Sequence, residues 1–268
     1  MNIISYIKKF VRLVFFPPNS LEFIVIKHNE QILLINKTTT ALKLKYGIYE
    51  KAEFNYLRKN INSDDICLDI GANIGAYTIF FAKNARKVIS FEPIKINKLM
   101  IEFSAELNSL DNIKIEQIAL NDFNGNSEFL VVNESILSGL VSYDIENQKK
   151  YLREHYSAEI NKVITVKCKK LDDYNFNKID IVKIDVEGGE LKVINGAINT
   201  IKNCKPRLII IECEDEALKL FKNNLDQVIN KMRSIDYHAF FVYKNELIPY
   251  KKDSSIRFEN LFFKPSNN

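Results

Sequence analysis

The pattern of apolar and polar positions changes character at about residue 66. Before that point, apolar residues recur at helical spacing over residues 1–16 with basic residues opposite, and Pro17 ends the pattern. The runs LEFIVI and QILLIN then predict two strands joined by a polar turn, and a helix is expected over residues 49–60. Helix, hairpin and helix together predict an N-terminal appendage over residues 1–60.

From residue 66 onward, short apolar runs alternate with segments of helical spacing, which is typical of parallel βαβ units. Two strand-like runs, SEFLVV and VITVKC, interrupt this rhythm and predict an antiparallel β insertion with a long polar stretch at residues 133–162. We therefore predict an α/β fold with a doubly wound, mostly parallel sheet over residues 61–268. Its strands are expected at 66–70, 87–91 and 113–118, and its helices near 75–84, 95–108, 189–202 and 215–233.

Composition narrows the classes of function without naming one. The chain has 268 residues and a net charge of +4, with the basic residues spread along its length, so we expect no nucleic-acid partner. The four cysteines form no CxxC pair, no apolar run approaches the length of a membrane span, and lysines interrupt any signal-peptide core. These features predict a cytoplasmic protein. The amphipathic segment 1–16 predicts either peripheral contact with an anionic membrane or packing on its own domain or on a second subunit in a homodimer.

The strongest local signal is the stretch from Asp69 to Gly75, which follows the buried run ICLDI and precedes a helix. Ligands of open α/β sheets bind beyond the carboxyl ends of such strands. The two glycines of this loop allow a close backbone approach, and the helix start offers N–H groups to an anion. Glu92 closes the next strand, where its carboxylate can accept both hydroxyls of a ribose. The loop therefore predicts a nucleotide-type cofactor.

Two cofactors compete for this loop. A dinucleotide fingerprint, GxGxxG, would place its three glycines at Gly71, Asn73 and Ala76, and the middle glycine is needed so that the backbone can touch a pyrophosphate. Asn73 puts a side chain there, which disfavours a nicotinamide-dependent oxidoreductase. S-adenosylmethionine has no pyrophosphate, and Asp69 suits its ammonium group. A non-catalytic module that keeps the fold is a third hypothesis, which the retained acidic residues disfavour.

Several stretches resemble the FkbM family of class I methyltransferases and occur in the family's order. They are LDIGANIGAYT (68–78), VISFEP (88–93), IALNDFNG (118–125), KCKKLDDY (167–174), IDIVKIDVEGGE (179–190) and RLIIIE (207–212). The resemblance implies a seven-stranded sheet, S-adenosyl-L-methionine as cofactor, and methyl transfer to a hydroxyl oxygen. It also implies an acceptor such as a sugar in a surface glycan, a glycolipid or a secondary metabolite. The positions that match the family's cofactor site are Asp69, Gly71, Ala72, Asn73, Gly75, Glu92, Asn121 and Asp122.

Acidic residues at two strand ends are the candidates for the chemistry. Lys183, Asp185 and Glu187 recur at period two near the end of a central strand, and Glu212 ends its neighbour. Asp185 is expected either to act as a general base or to bind the cofactor and the amine or hydroxyl of the substrate. The alternative is a Mg²⁺ site at Asp185 and Glu212, although we expect no metal. A purely structural alternative is that Glu187 or Glu190 caps the next helix.

Overall fold

The computed structural model describes residues 23–28, 31–36, 49–132, 137–140, 145–156, 160–252 and 260–266. The helix predicted over residues 1–16, with its alternatives of membrane contact and packing, lies outside these ranges. Within them, no helix is both long enough and apolar enough to cross a membrane.

The described residues form fourteen β-strands, eight α-helices and one 3₁₀ helix, at Leu171–Tyr174. The strands are β1 Phe23–His28, β2 Gln31–Asn36, β3 Ile66–Ile70, β4 Lys87–Phe91, β5 Ile113–Glu116, β6 Ala119–Leu120, β7 Gly125–Val132, β8 Leu137–Leu140, β9 Ile160–Lys169, β10 Ile181–Ile184, β11 Leu208–Glu212, β12 Tyr237–Tyr243, β13 Glu246–Pro249 and β14 Asn260–Pro265. The helices are α1 Lys51–Asn60, α2 Ala76–Asn84, α3 Lys95–Leu107, α4 Ile145–Tyr156, α5 Glu190–Asn195, α6 Ile198–Cys204, α7 Asp215–Leu220 and α8 Leu225–Arg233.

The main sheet has eight strands in the order β13-β12-β14-β11-β10-β3-β4-β5. Strands β11, β10, β3, β4 and β5 are parallel, and β14 runs antiparallel to both of its neighbours. The doubly wound, mostly parallel fold is therefore confirmed. The sheet has one strand more than expected, because Lys244 and Asn245 form a two-residue turn at positive φ that folds the short segment β13 back onto β12.

The order of the strands fixes where a ligand can bind. From β3 the chain moves outward through β4 to β5, and it later returns to the other side of β3 with β10 and β11. The switch point of the sheet therefore lies between β3 and β10, and a crevice opens there at the carboxyl ends of the strands. Both strands are almost wholly buried, as expected for a sheet covered on both faces.

The predicted antiparallel insertion is a second, four-stranded sheet in the order β6-β9-β7-β8. Strand β7 pairs antiparallel with both β8 and β9. Two details differ from the sequence-based prediction. The strand expected at 113–118 ends at Glu116, and the chain then crosses to pair Ala119 with Cys168 in the small sheet. The polar stretch 133–162 contains β8 and α4 in its described part.

Two helices that apolar spacing predicts as continuous are broken. The segment 189–202 divides into α5 and α6 around Gly196, where a Cβ atom would lie 2.0 Å from the carbonyl oxygen of Asn121. The segment 215–233 divides into α7 and α8, because Asn224 starts the second helix with a capping box to Gln227. A tertiary contact accompanies the first break and a local cap the second, and each overrides the helical pattern.

The predicted hairpin and the helix after it are also present. Strands β1 and β2 pair antiparallel, and Leu33 is fully buried among apolar residues of α2 and α3. The amide of Asn108, at the end of α3, bonds both backbone groups of Ile32, at 3.0 Å and 2.7 Å, as a neighbouring strand would. The division of the chain into domains at residues 60 and 61 stays a prediction.

Candidate functional site

The loops that follow β3 and β10 are joined at the carboxyl edge of the sheet. The N–H of Asp185 donates to the carbonyl oxygen of Ile70 at 2.9 Å. Gly71 has a φ of 79°, and a Cβ atom at this position would lie 1.8 Å from the carbonyl oxygen of Asp185. Glycine is therefore needed at residue 71 so that the predicted cofactor loop can lie directly against the predicted acidic site.

The cofactor loop uses much of its own hydrogen-bonding capacity. Gly71 and Ala72 both donate to the carbonyl oxygen of Phe91, at 3.0 Å and 3.2 Å, and Gly75 donates to Ala72 at 2.8 Å. Asn73, with a φ of 51°, donates its backbone N–H to Glu92 at 2.8 Å. These four N–H groups are thus committed within the protein, so the loop itself offers a pyrophosphate few donors. The N–H groups at the start of α2, which the sequence predicts to be open to an anion, are not among these four, and that expectation stays a prediction.

Asp69 is buried at the end of β3 and contacts the first turn of α2. Its carboxylate accepts a hydrogen bond from the hydroxyl of Thr78 at 2.5 Å, and Thr78 also lies 2.7 Å from the hydroxyl of Ser90. Burial raises the pKa of Asp69 to about 6, against the lowering effect of the Thr78 hydroxyl. A cation in the crevice would favour the ionised carboxylate.

Glu92 follows β4 and faces the same loop from the other side. Its side chain is buried and accepts three hydrogen bonds, from the backbone N–H groups of Asn73 and Ile94 and from the amide of Asn97. Burial raises its pKa to about 7, although all three donors favour the charged form. Asn97 is not among the site residues predicted from the sequence. Its position five residues after Glu92, in the first turn of α3, was the available signal.

Asn121 and Asp122 lie next to the small sheet. Asn121 is buried, its backbone N–H donates to the carbonyl oxygen of Lys169 at 2.9 Å, and its amide lies 3.8 Å from the sulfur of Cys168. Asp122 is exposed and donates its own N–H to the Asn121 side chain. The hydrogen bonds of Asn121 thus connect it to β9, and a contact of either residue with an adenine stays a prediction.

The three predicted catalytic carboxylates do lie together. Asp185, Glu187 and Glu212 each place an oxygen within 4.8 Å of the others, and each side chain is half-buried. Burial raises the pKa of Glu212, and the negative charge of Asp185 and a hydrogen bond with it raise the pKa further. Burial and the charge of Asp185 also raise the pKa of Glu187. Close carboxylates of this kind share protons, so the cluster can hold a base and a hydrogen-bond donor at the same pH.

Glu187 reaches this cluster by a route that the sequence pattern did not predict. Strand β10 ends at Ile184, and Glu187 has a φ of 57°, so period-two alternation does not extend to it. A turn through Gly188 brings the side chain back toward Asp185 instead. Glu190 stabilises this turn, because its carboxylate accepts the N–H groups of Val186 and Gly188 at 3.2 Å and 3.0 Å. Glu190 therefore has a structural role in this turn, and the alternative that it caps α5 and does nothing else stays a prediction.

Lys183 is fully buried beneath the cluster, and residues far away in sequence hold it there. Its ammonium group donates to Asp185 at 3.0 Å and to the side-chain oxygen of Asn260 at 2.7 Å. The amide of Asn260 donates to Glu50 at 3.1 Å, and the hydroxyl of Tyr77 donates to the same carboxylate. Burial alone would lower the pKa of Lys183, but the charges of Asp185 and Glu50 outweigh burial and raise it.

Glu50, Tyr77 and Asn260 are functional-site residues that the sequence pattern did not predict. Asn260 is 77 residues from Lys183 and 210 residues from Glu50, so no local spacing marks them as a group. Tyr77 lies inside the cofactor-loop motif, but its aromatic ring looks like a core residue in a sequence. The ring also lies under the Lys183 ammonium, 5.2 Å from it.

The fold and this site define the class of protein: a doubly wound α/β protein with an acidic ligand crevice at the switch point of its sheet. The chain belongs to the FkbM methyltransferase family, because the model of the Methyltransferase FkbM domain matches residues 69–239, more than half of the chain. The protein is therefore a methyltransferase. Glu50 and Asn260, which hold Lys183, both lie outside the matched segment.

Known proteins resemble the chain at low identity. The 2-O-methyltransferase NoeI of Sinorhizobium fredii is 27% identical over 219 residues, which span 77% of this chain and 84% of NoeI. The AMB antimetabolite synthetase AmbE of Pseudomonas aeruginosa is 24% identical over 182 residues, 57% of this chain but only 8% of AmbE. The crystal structure of the methyltransferase FkbM from Methylobacillus flagellatus is 15% identical with a TM-score of 0.50, over 82% of this chain and 52% of that one. This last likeness supports the fold.

Proposed function

We propose that the protein is an S-adenosylmethionine-dependent O-methyltransferase that methylates a hydroxyl of a sugar in a surface glycan, a glycolipid or a secondary metabolite. The observation that carries the proposal is the contact between Gly71 and Asp185, since it joins a cofactor loop to a carboxylate cluster within one crevice. The name of the NoeI relative, a 2-O-methyltransferase, supports transfer to oxygen.

The residues present fit this cofactor better than a dinucleotide. S-adenosylmethionine supplies a methyl group on a positively charged sulfonium. The crevice presents the carboxylates of Asp69, Glu92 and Asp185, and Lys183 is already bonded to Asp185 and Asn260. The negative charge at this edge of the sheet attracts a cation and repels a pyrophosphate. Asp69 would bind the ammonium group and Glu92 the ribose.

Asp185 is the residue that we propose to act on the acceptor. Lys183 donates a hydrogen bond to its Oδ2 at 3.0 Å, which fixes the position of that oxygen. S-adenosylmethionine would supply the methyl group to the acceptor oxygen, and Asp185 would take the proton that the hydroxyl loses. Glu212 is expected to carry a proton and to orient the hydroxyl by donating a hydrogen bond. Positioning supplies much of the rate of such a displacement.

The cofactor proposal is tested by calorimetric titration with S-adenosylhomocysteine and, in parallel, with NAD. We expect binding of the first, and Asp69→Ala and Glu92→Ala should each weaken it by about 1.5–3 kcal/mol, because each removes an acceptor for a charged or buried donor. Glu128→Ala, at an exposed position on β7, is the matched control and should bind like the parent. Binding of NAD instead, or unchanged binding by both site variants while folded, would contradict the proposal.

The acceptor proposal is tested by incubating the enzyme and S-adenosylmethionine with pooled nucleotide-sugars and glycolipids. A mass increase of one methylene on a sugar is the expected result, and Asp185→Asn should abolish most of it. Methylation confined to acceptors without a sugar would contradict the substrate class but not the cofactor.

A further inference from the structure

The number of hydrogen bonds that Glu92 already accepts limits what else it can bind. Its Oε1 accepts the N–H of Ile94 at 2.8 Å and the amide of Asn97 at 3.3 Å, and its Oε2 accepts the N–H of Asn73 at 2.8 Å. The two oxygens of a carboxylate offer about four acceptor positions. One position on Oε2 is therefore left for a ligand.

A ribose presents two neighbouring hydroxyls, and each of them donates one proton. The sequence-based expectation assigns both hydroxyls to Glu92. With one acceptor position left, Glu92 can accept only one of them without losing a hydrogen bond that it makes within the protein. The second hydroxyl needs another acceptor close to the same carboxylate.

Asn97 has such an acceptor. It is 2% exposed, and its Nδ2 donates to Glu92, which fixes the amide beside that carboxylate. Its Oδ1 is buried and accepts no hydrogen bond from the part of the chain that the structure describes. An unsatisfied buried acceptor costs stability comparable to a lost hydrogen bond, so native structures keep few of them without a use. A hydroxyl donor from a ligand would satisfy it.

We propose that Asn97 is a second ribose-binding residue, whose Oδ1 accepts one hydroxyl of the cofactor while its Nδ2 holds Glu92 to accept the other. This inference rests on the proposed cofactor. It assigns to α3 a direct part in recognition, and it makes the site selective for a ribose with both hydroxyls.

The test is calorimetric titration of the full chain with S-adenosylhomocysteine and with its 2′-deoxy and 3′-deoxy analogues. The parent should lose roughly tenfold in affinity for each missing hydroxyl, the scale of one hydrogen bond. Asn97→Leu, which keeps the side-chain volume, should bind S-adenosylhomocysteine roughly tenfold more weakly. This variant should also bind one of the two deoxy analogues as tightly as it binds S-adenosylhomocysteine, because the side chain that accepts that hydroxyl has been removed.

The matched control is Asn108→Leu, at the other end of the same helix. The amide of Asn108 bonds Ile32 of the hairpin and has no part in the site. This variant should unfold at a lower temperature and still discriminate among the three ligands as the parent does. Should Asn97→Leu fail to fold, Asn97→Ala is titrated in its place.

The outcomes separate the two proposals. If the parent does not bind S-adenosylhomocysteine at all, the proposed cofactor and this inference both fall. If the parent binds it and the Asn97 variants keep the parent's preference for both hydroxyls, only the inference is overturned. Equal weakening toward all three ligands would also overturn it, since Asn97 would then act through Glu92 alone.

Discussion

The two sides of the crevice are built in different ways. On the cofactor side, Asp69, Asn73 and Glu92 lie within or directly after one βαβ unit. Their partners are neutral groups close in sequence: backbone N–H groups, a hydroxyl and the amide of Asn97. On the acceptor side, Asp185 and Lys183 depend on Asn260 and on other residues from distant parts of the chain. The first side is neutral in its contacts, whereas the second is a buried group of charges.

This difference shows which side is sensitive to a change of charge. The carboxylates on the cofactor side accept hydrogen bonds from neutral N–H and O–H groups. Each can therefore change its protonation state without leaving a buried charge unpaired. The acceptor side has one buried cation, Lys183, among the carboxylates of Asp185, Glu50 and Glu212, whose charges together raise its pKa. Loss of that cation would leave like charges together in a region of low dielectric.

The largest effect is therefore expected from Lys183→Met. Its side chain is fully buried, and removing one partner of a buried ion pair costs about 3–5 kcal/mol. Lys178→Met is the matched control, because Lys178 is exposed and its ion pair with Asp180 at 3.2 Å should contribute about 0–1 kcal/mol. Chemical denaturation measures both. Equal stabilities of the two variants would show that the acceptor side does not depend on its cation.

The next effect is expected at the contact between the two sides. Gly71→Ala places a Cβ atom where the carbonyl oxygen of Asp185 is only 1.8 Å away, at a φ of 79°. Backbone strain and overpacking together should cost on the order of 3 kcal/mol in the free energy of unfolding. Gly189→Ala is the control, since its φ is −87° and the nearest atom to an added Cβ is 3.5 Å away. A Gly71→Ala protein as stable as this control would mean that the two loops can separate.

The same contrast explains what the sequence could predict. Apolar runs and a glycine-containing loop were sufficient for β3, β4 and the cofactor residues, because those residues interact with near neighbours in sequence. They also located the acidic cluster, since strand ends of a parallel sheet meet at one edge. They could not locate Glu50 or Asn260, because a hydrogen bond across 210 residues has no periodic signature. The break between α5 and α6 was missed for a related reason, since the contact of Gly196 with Asn121 is tertiary.

A moderate effect on the pH dependence of stability is expected on both sides. Burial raises the pKa of Glu50 to about 7, and burial raises that of Glu92 to about 7. In the unfolded chain both groups ionise at lower pH, so the folded protein should lose stability as the pH rises from about 4.5 to 7.

The substitutions Glu50→Gln and Glu92→Gln each remove one of these ionisable carboxyl groups. Each variant should reduce the loss of folding stability between about pH 4.5 and 7 by about 1–2 kcal/mol, after allowance for solvent screening. Thermal or urea unfolding at several pH values measures this, with Glu128→Gln on the exposed face of β7 as control. A decline that is as steep in both site variants as in the control would contradict the assignment of these groups.

Removal of metal ions by a chelator is the last test, and we expect it to have no effect on the rate of methylation. Lys183 already donates a hydrogen bond to Asp185 at 3.0 Å and places a positive charge beside the carboxylates, as a metal ion would. Three carboxylates within 4.8 Å could nevertheless hold Mg²⁺, which requires oxygen ligands. Methylation of the glycan pool in EDTA distinguishes the two arrangements.

Without a metal, EDTA leaves the rate unchanged, and the rate rises with pH through the pKa of the essential base. Asp185→Asn then reduces turnover far more than Glu212→Gln, because only Asp185 takes the proton. With a metal, EDTA abolishes methylation, Mn²⁺ or Mg²⁺ restores it, and Glu212→Gln resembles Asp185→Asn because each removes a ligand. If neither variant changes turnover, the strand-end carboxylates are not the catalytic group, and His155 on α4 is the next residue to replace.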